Sequence, residues 1–213
     1  MIFIDAWLTD CPTAITSVNE IDRADLVLVT HDHFDHIGDA LKITKKTGAT
    51  LVANVETARK LEAEGVPADQ IINAGRGMNI GGASRVGNIE IIMTQAFHSS
   101  ATGAPVGYVI RMEDGGTIYH AGDTGIFGTM KVLADLYGID IALLPIGSTF
   151  TMDPVQAAYA LTLLKPKIAI PMHYATFPVI EPNPDRFVEE ARKRAPHVEI
   201  RIMNPGEEEE IEL

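Results

Sequence analysis

A single cysteine, Cys11, leaves this chain no partner for an internal disulfide, so a reducing, cytoplasmic setting is the expectation. Long apolar runs are missing too: none approaches the roughly 20 residues that a bilayer-spanning helix needs. The opening Met1-Ile2-Phe3-Ile4-Asp5 has neither the basic segment nor the cleavage site of a secretory leader. Cations are scarce. Seventeen Lys and Arg stand against 29 Asp and Glu, and a net charge of −12 repels phosphate backbones. Neither nucleic acid nor a membrane is therefore an expected partner. What is present, 213 residues of which 46% are hydrophobic and 22% charged, suits one globular domain spanning 1–213.

Short runs rich in β-branched residues predict strands over Met1–Asp5, Asp25–Thr30, Thr50–Ala53, Ile89–Thr94, Pro105–Arg111, Thr117–His120, Asp140–Pro145 and Ile168–His173. Helical patterns fall over Ile37–Lys46, Asn54–Glu64, Thr129–Leu136, Asp153–Leu164 and Asn183–Arg194. Asn54 reads as a cap, and Asp153-Pro154 and Asn183-Pro184 place a proline at the first helical position. The centre of the chain is strand-rich, with a hairpin turn at Asp114-Gly115-Gly116, while both flanks alternate strand and helix. That order implies two sheets packed face to face with helices outside, a layered α/β architecture.

The densest chemistry lies in His31-Asp32-His33-Phe34-Asp35-His36, an HxHxDH pattern directly after the apolar run Leu26-Val27-Leu28-Val29. Imidazole nitrogen and carboxylate oxygen are ligands for Zn²⁺ and neighbouring first-row metals. One short loop could feed two ions, one through His31 and His33, the other through Asp35 and His36. Neither set is complete alone. Three further donors each end a predicted strand: His98 after Ile91–Phe97, Asp123 in Gly122-Asp123-Thr124-Gly125, and His173 after Ile168–Met172. Carboxyl ends of strands are where α/β folds place their chemistry.

These motifs, in this order, resemble the metallo-β-lactamase superfamily. Gln95-Ala96-Phe97-His98-Ser99-Ser100, Tyr119-His120-Ala121-Gly122-Asp123-Thr124-Gly125 and Pro171-Met172-His173-Tyr174 resemble its branch of metal-dependent hydrolases similar to L-ascorbate-6-phosphate lactonase. The resemblance implies a four-layer αββα sandwich, with two mixed sheets and helices on the outer faces. It implies two divalent metal ions, Zn²⁺ first, with Mn²⁺, Ni²⁺ or Fe²⁺ also accepted by such donors. His31, His33 and His98 would hold one ion, Asp35, His36 and His173 the other, and Asp123 would bridge both. Asp5 matches an aspartate that orients ligands from behind. The family's first strand is missing from the pattern here, which is expected to leave a sheet edge near Met1 open to self-association. Thr149 stands where the family often has histidine; it and Tyr174 are the candidate substrate contacts.

The expected reaction is hydrolysis of an ester, lactone or phosphoester in a small molecule, with Asp35 and Asp123 as catalytic carboxylates. The alternative on the same fold is an iron-dependent oxidoreductase similar to thiol dioxygenases. A nuclease of the superfamily is disfavoured by charge and length. Ser99 and Ser100 sit in no G-x-S-x-G elbow, so they read as turn residues rather than nucleophiles. His120 reads as a core histidine and His197 as a surface one.

Overall fold

The computed structural model describes residues 1–211. Strands β1 (Ile2–Ile4), β2 (Leu26–Leu28) and β3 (Thr50–Val52) form a three-stranded sheet in that order. A second sheet holds β4 (Ala83–Val86), β5 (Ile89–Gln95), β6 (Val106–Arg111), β7 (Thr117–His120), β8 (Ile141–Pro145), β9 (Ile168–Met172) and β10 (Glu199–Ile200). Its order is β10-β9-β8-β7-β6-β5-β4, antiparallel from β4 to β7 and parallel from β7 to β10. The larger sheet is mixed, as expected; the smaller is parallel throughout, which corrects the expectation of two mixed sheets. The cause is connectivity. Helices α1 (Phe34–Ile37) and α2 (Ala40–Thr47) carry the chain from β2 back to the start of β3, and such crossovers impose parallel pairing.

The remaining helices are α3 (Val55–Ala63), the short turn α4 (Ile72–Gly75), α5 (Met130–Tyr137), α6 (Pro154–Leu164) and α7 (Asp185–Arg194). Alternation along the strands sorts the apolar residues into three layers. Val27, Val29 and Leu51 pack with Ile43 of α2 and Leu61 of α3. Leu26, Leu28 and Val52 point the other way, onto Ile91, Met93, Tyr108 and Ile110 of the larger sheet. Ile92, Val109, Ala142 and Leu144 face outward onto Met130, Leu161 and Phe187 of α5, α6 and α7. Three apolar layers separate four layers of secondary structure, the αββα arrangement. Period 2 in the strands is what sends neighbours such as Val27 and Leu28 into different cores.

The predicted helix over Ile37–Lys46 is broken. Gly38 adopts φ +41°, and a Cβ there would lie 2.4 Å from the Ala6 carbonyl oxygen. The backbone of residues 6–7 passes so close that only glycine fits, so α1 stops at Ile37 and α2 restarts at Ala40. Pro184 is not the first helical residue either; α7 begins at Asp185, whose N–H donates to the Asn183 side chain at 3.0 Å. Strands β4 and β10 escape the sequence pattern because they are short edges of the larger sheet.

The topology aims the functional loops. Strands β5, β7, β8 and β9 run in one direction, so the segments after β5, β7 and β9 leave the same edge of the larger sheet. The end of β2 is pinned to that sheet by the buried Tyr108 hydroxyl, which donates to the Val29 carbonyl at 2.7 Å. Tyr108→Phe removes this donor two residues before His31 and strands a buried acceptor. The expected loss of stability is about 1–3 kcal/mol in urea unfolding; an unchanged midpoint and slope would contradict this anchoring role.

Candidate metal centre

Seven donors spread from His31 to His173 converge at the sheet edges. His31 Nε2 lies 2.9 Å from His33 Nδ1, and His98 Nε2 lies 3.3 Å from that same nitrogen. On the other side, Asp35 Oδ2 stands 3.7 Å from His36 Nε2 and 3.6 Å from His173 Nε2. One oxygen joins the two groups: Asp123 Oδ2 is 3.3 Å from His36 Nε2, 3.2 Å from His173 Nε2 and 3.6 Å from His98 Nε2. Three sets could each hold an ion: His31, His33 and His98; Asp35, His36 and His173; and His31, His36 and Asp123. The first two coincide with the sets that the family resemblance implies, and the third spans them.

The donor spacing fits a bound cation. Two ligands at 2.0–2.1 Å from a tetrahedral centre stand about 3.3–3.4 Å apart, the middle of the range seen here. His36 Nε2 is buried without a hydrogen-bond partner even though Asp123 lies within ion-pair distance. Asp123 Oδ1 is likewise unpartnered. A cation at the centre would give such atoms the partner they lack.

Asp5 sets the tautomers. The Thr30 N–H donates to Asp5 Oδ1 at 2.8 Å, and the Thr30 hydroxyl donates to Oδ2 at 2.6 Å. His36 Nδ1–H donates to the same Oδ2 at 2.7 Å. With its single proton given to Asp5, the Thr30 oxygen accepts from His31 Nδ1–H at 3.0 Å. Nε2 is thereby the nitrogen that each imidazole offers to a cation, once His36 has lost its second proton. The backbone yields to this arrangement: Asp5 and His173 are non-glycine residues at φ +50° and +58°. Left-handed backbone of this kind recurs where geometry serves a site.

Charge follows the same logic. Burial pushes the Asp123 carboxyl up, but the adjacent His36, with His173 and His31 behind, holds it down at about 2. Burial, then the charge of His36, pushes the His31 imidazole down to about 3. His36 moves the opposite way: burial opposes its charge, yet Asp5 and Asp123 together raise it well above the usual histidine value. Burial lowers His98, and lowers His120 as well. The metal-free centre thus stores its proton on His36, between two carboxylates.

Two supporting residues were not visible as such in the sequence. Asp32, between the first two histidines, is buried and accepts from the Ser100 hydroxyl at 2.7 Å, the Ala101 N–H at 2.8 Å and the Thr102 hydroxyl at 2.8 Å, with Lys60 Nζ at 3.2 Å. It ties the first motif to the loop carrying His98, which gives Ser100 the turn role expected of it. Thr124 does the same for the next pair of loops, since its hydroxyl accepts from the Phe97 N–H at 2.9 Å. A charged residue inside a run of ligands was the one available signal for Asp32.

The other expected residues fall as follows. His120 is buried, accepts from the Gly122 N–H at 3.2 Å, and borders a small cavity of about 230 Å³ behind Asp5, His36 and Asp123. His197 is exposed. Thr149 donates to the Val179 carbonyl at 2.8 Å, fastening one loop to another. Tyr174 packs against the outer core of the larger sheet and does not line the main cavity. That cavity, about 570 Å³, opens over His33, Asp35, His98, Asp123 and His173 and is walled by Phe34, Phe150, Phe177, Pro178 and Val179.

Two outcomes follow from Asp5 and His36. Asp5→Asn is expected to lower Zn²⁺ affinity about 10–100-fold in competition with a chromophoric chelator; wild-type affinity would refute the orienting role. Zn²⁺ uptake near neutral pH requires His36 to be neutral, so it releases a proton and the affinity rises with pH. Calorimetry in buffers of different ionisation enthalpy reads that proton directly, and a buffer-independent heat would be the contrary result.

With the geometry in hand, comparison with known proteins is informative. Residues 2–174 match the family model described as a beta-lactamase superfamily domain. A UPF0173 metal-dependent hydrolase of Nitratidesulfovibrio vulgaris is 52% identical over 206 residues, 97% of this chain and 86% of that protein. Igni18, a metallo hydrolase from the hyperthermophilic archaeon Ignicoccus hospitalis, matches with TM-score 0.86 at 41% identity, covering 97% of this chain and 88% of that one. CmlA, a diiron β-hydroxylase from Streptomyces venezuelae, shares the fold alone, with TM-score 0.69 and 14% identity over 89% of this chain and 45% of that one. The chain belongs to the metallo-β-lactamase superfamily, among the relatives known as UPF0173 metal-dependent hydrolases.

Proposed function

We infer that this protein is a hydrolase with a two-cation centre that cleaves an ester, lactone or phosphoester bond in a small molecule. His31, His33 and His98 would hold one cation and Asp35, His36 and His173 the other, with Asp123 between the two sets. The observation that carries this reading is Asp123 Oδ2, placed 3.2–3.6 Å from the Nε2 atoms of three histidines on three separate chain segments. A donor set of imidazole and carboxylate without cysteine suits Zn²⁺, and accepts Mn²⁺, Ni²⁺ or Fe²⁺. Bound there, such ions supply Lewis acidity and a lowered pKa for water.

The chain's own residues do the rest. Asp35 lies on the cavity floor, where its carboxylate orients the attacking water and takes its proton. Asp123 fixes the spacing of the two ligand groups. A cavity of about 570 Å³ is the size of a small-molecule site. Relatives that share half the sequence and are metal-dependent hydrolases favour hydrolysis over the iron-dependent oxidoreductase reading. Among the described residues no helix is long and apolar enough to cross a membrane.

Elemental analysis of natively purified protein should return two divalent ions per chain, and stripping them with a chelator should abolish turnover of an ester and lactone panel until metal is restored. Asp35→Asn is expected to lower kcat at least a hundredfold with the circular dichroism spectrum unchanged. One ion per chain, or turnover surviving in chelated protein, would rule the centre out.

A further inference from the structure

The walls of the main cavity say what kind of molecule it takes. The polar residues that line it are five of the candidate ligands and Ser99. The walls are Phe34, Phe150, Phe177, Pro178 and Val179. No lysine or arginine lines the cavity among the described residues. The nearby Lys60 is committed to the buried Asp32 carboxylate, and Lys42 to Asp39. A phosphate or carboxylate on the substrate body, away from the floor, would therefore meet apolar faces and no side-chain cation on the walls.

The apolar walls are also held ready. Trp7 stacks on Phe177 at 5.9 Å and 14°, and meets Phe34 edge-on at 5.4 Å. Phe34 and Phe177 themselves stand 6.2 Å apart. The segment bearing Phe177 and Val179 is anchored at three points: Thr149 to the Val179 carbonyl at 2.8 Å, the Ser148 hydroxyl to Glu181 Oε1 at 2.6 Å, and the Ala175 N–H to the Glu181 carbonyl at 2.8 Å. Yet Phe34, Phe150 and Val179 remain 64%, 53% and 61% exposed. Large apolar side chains clustered on one concave surface and fixed in position gain from a ligand that covers them.

We propose that the substrate is an uncharged carboxylic ester or lactone with an apolar chain or ring, whose body lies against Phe34, Phe150, Phe177 and Val179 while its carbonyl faces the floor. The proposal rests on the hydrolytic reading above. In the reaction, the oxygen of water bonds to the acyl carbon and the acyl C–O bond breaks. The departing alkoxide takes up a proton, leaving a carboxylic acid and an alcohol.

The test compares p-nitrophenyl esters from acetyl to octanoyl, p-nitrophenyl phosphate and bis(p-nitrophenyl) phosphate on the metal-loaded protein. Alongside, binding of N-phenyloctanamide and N-phenylacetamide is read from the fluorescence of Trp7, the sole tryptophan. Each added methylene should raise kcat/KM about three- to fourfold until the walls are covered, and the octanamide should bind at least a hundredfold more tightly than the acetamide. Val179→Asp, at an exposed position that tolerates charge, and Phe177→Ala should each flatten both trends. Equal handling of all chain lengths, or a preference for the phosphorylated compounds, would overturn the proposal while sparing the hydrolase. Chain-length-dependent amide binding with no turnover of any ester or phosphate would instead sink the hydrolytic reading and leave the cavity's preference standing.

Discussion

The Asp5 carboxylate is the constraint on which the centre depends. Its two oxygens hold the backbone N–H and hydroxyl of Thr30 and the Nδ1–H of His36. Through Thr30 it also dictates which nitrogen of His31 carries the proton. One residue at the end of β1 therefore orients a ligand in each of the two donor groups. It can do so because the 5–9 segment is locked onto the α1–α2 junction. Gly38 admits the backbone at Ala6, the Asp39 N–H donates to the Ala6 carbonyl at 2.8 Å, and the Asp39 carboxylate accepts from the N–H groups of Leu8 and Thr9. Burial raises the Asp39 carboxyl, but Lys42 and these N–H groups hold it near 2, so the lock stays ionised.

The donors themselves oppose being together. Imidazole nitrogens and carboxylate oxygens crowd within 2.9–3.7 Å of one another, with fewer protons than lone pairs to share among them in the metal-free chain. Something else must supply the organising energy. The supporting hydrogen bonds do: Asp32 fastens the first motif to residues 100–102, Thr124 fastens the 97–98 loop to the 123–125 turn, and the Met152 N–H reaches the Thr124 carbonyl at 2.9 Å. Gly122 lets the turn before Asp123 lie against Thr30, for a Cβ there would meet the Val106 carbonyl at 2.5 Å. A site whose members repel is stable only because its frame is over-determined.

How much of this could be read from residues alone depended on range. The HxHxDH run is local, and strand-end ligands carry a positional signal, so all seven donors and Asp5 were legible. Short apolar runs rich in β-branched residues, such as Leu26–Val29, were legible for the same reason. What failed was information carried by distant chain segments. Nothing near Ile37–Lys46 says that residues 6–7 will cross at Gly38 and split the helix. Nothing in β1–β3 announces purely parallel pairing until the crossover helices are placed. Tyr174, adjacent to a ligand in sequence, turns into the outer core, because a left-handed His173 reverses the direction of the chain there.

The cavity walls show the same limit most plainly. Phe34, Phe150 and Phe177, with Trp7 packed against two of them, come from four regions spread over 170 residues, and aromatic residues make up only 6% of the chain. Scarcity is what makes their gathering informative. A core draws aromatics inward, yet among the described residues the only fully buried aromatics are Tyr108, Tyr119 and Phe187. Phe34 sits between two ligand residues in the motif, and Phe177 follows His173 by four, so both are carried to the cavity by the segments that carry the ligands. The positions that bring the candidate ligands together thus also fix the apolar surface above them. Donor geometry and cavity lining are in this way coupled through the same two stretches of backbone, held together by Trp7 and the Asp5 segment from which it projects.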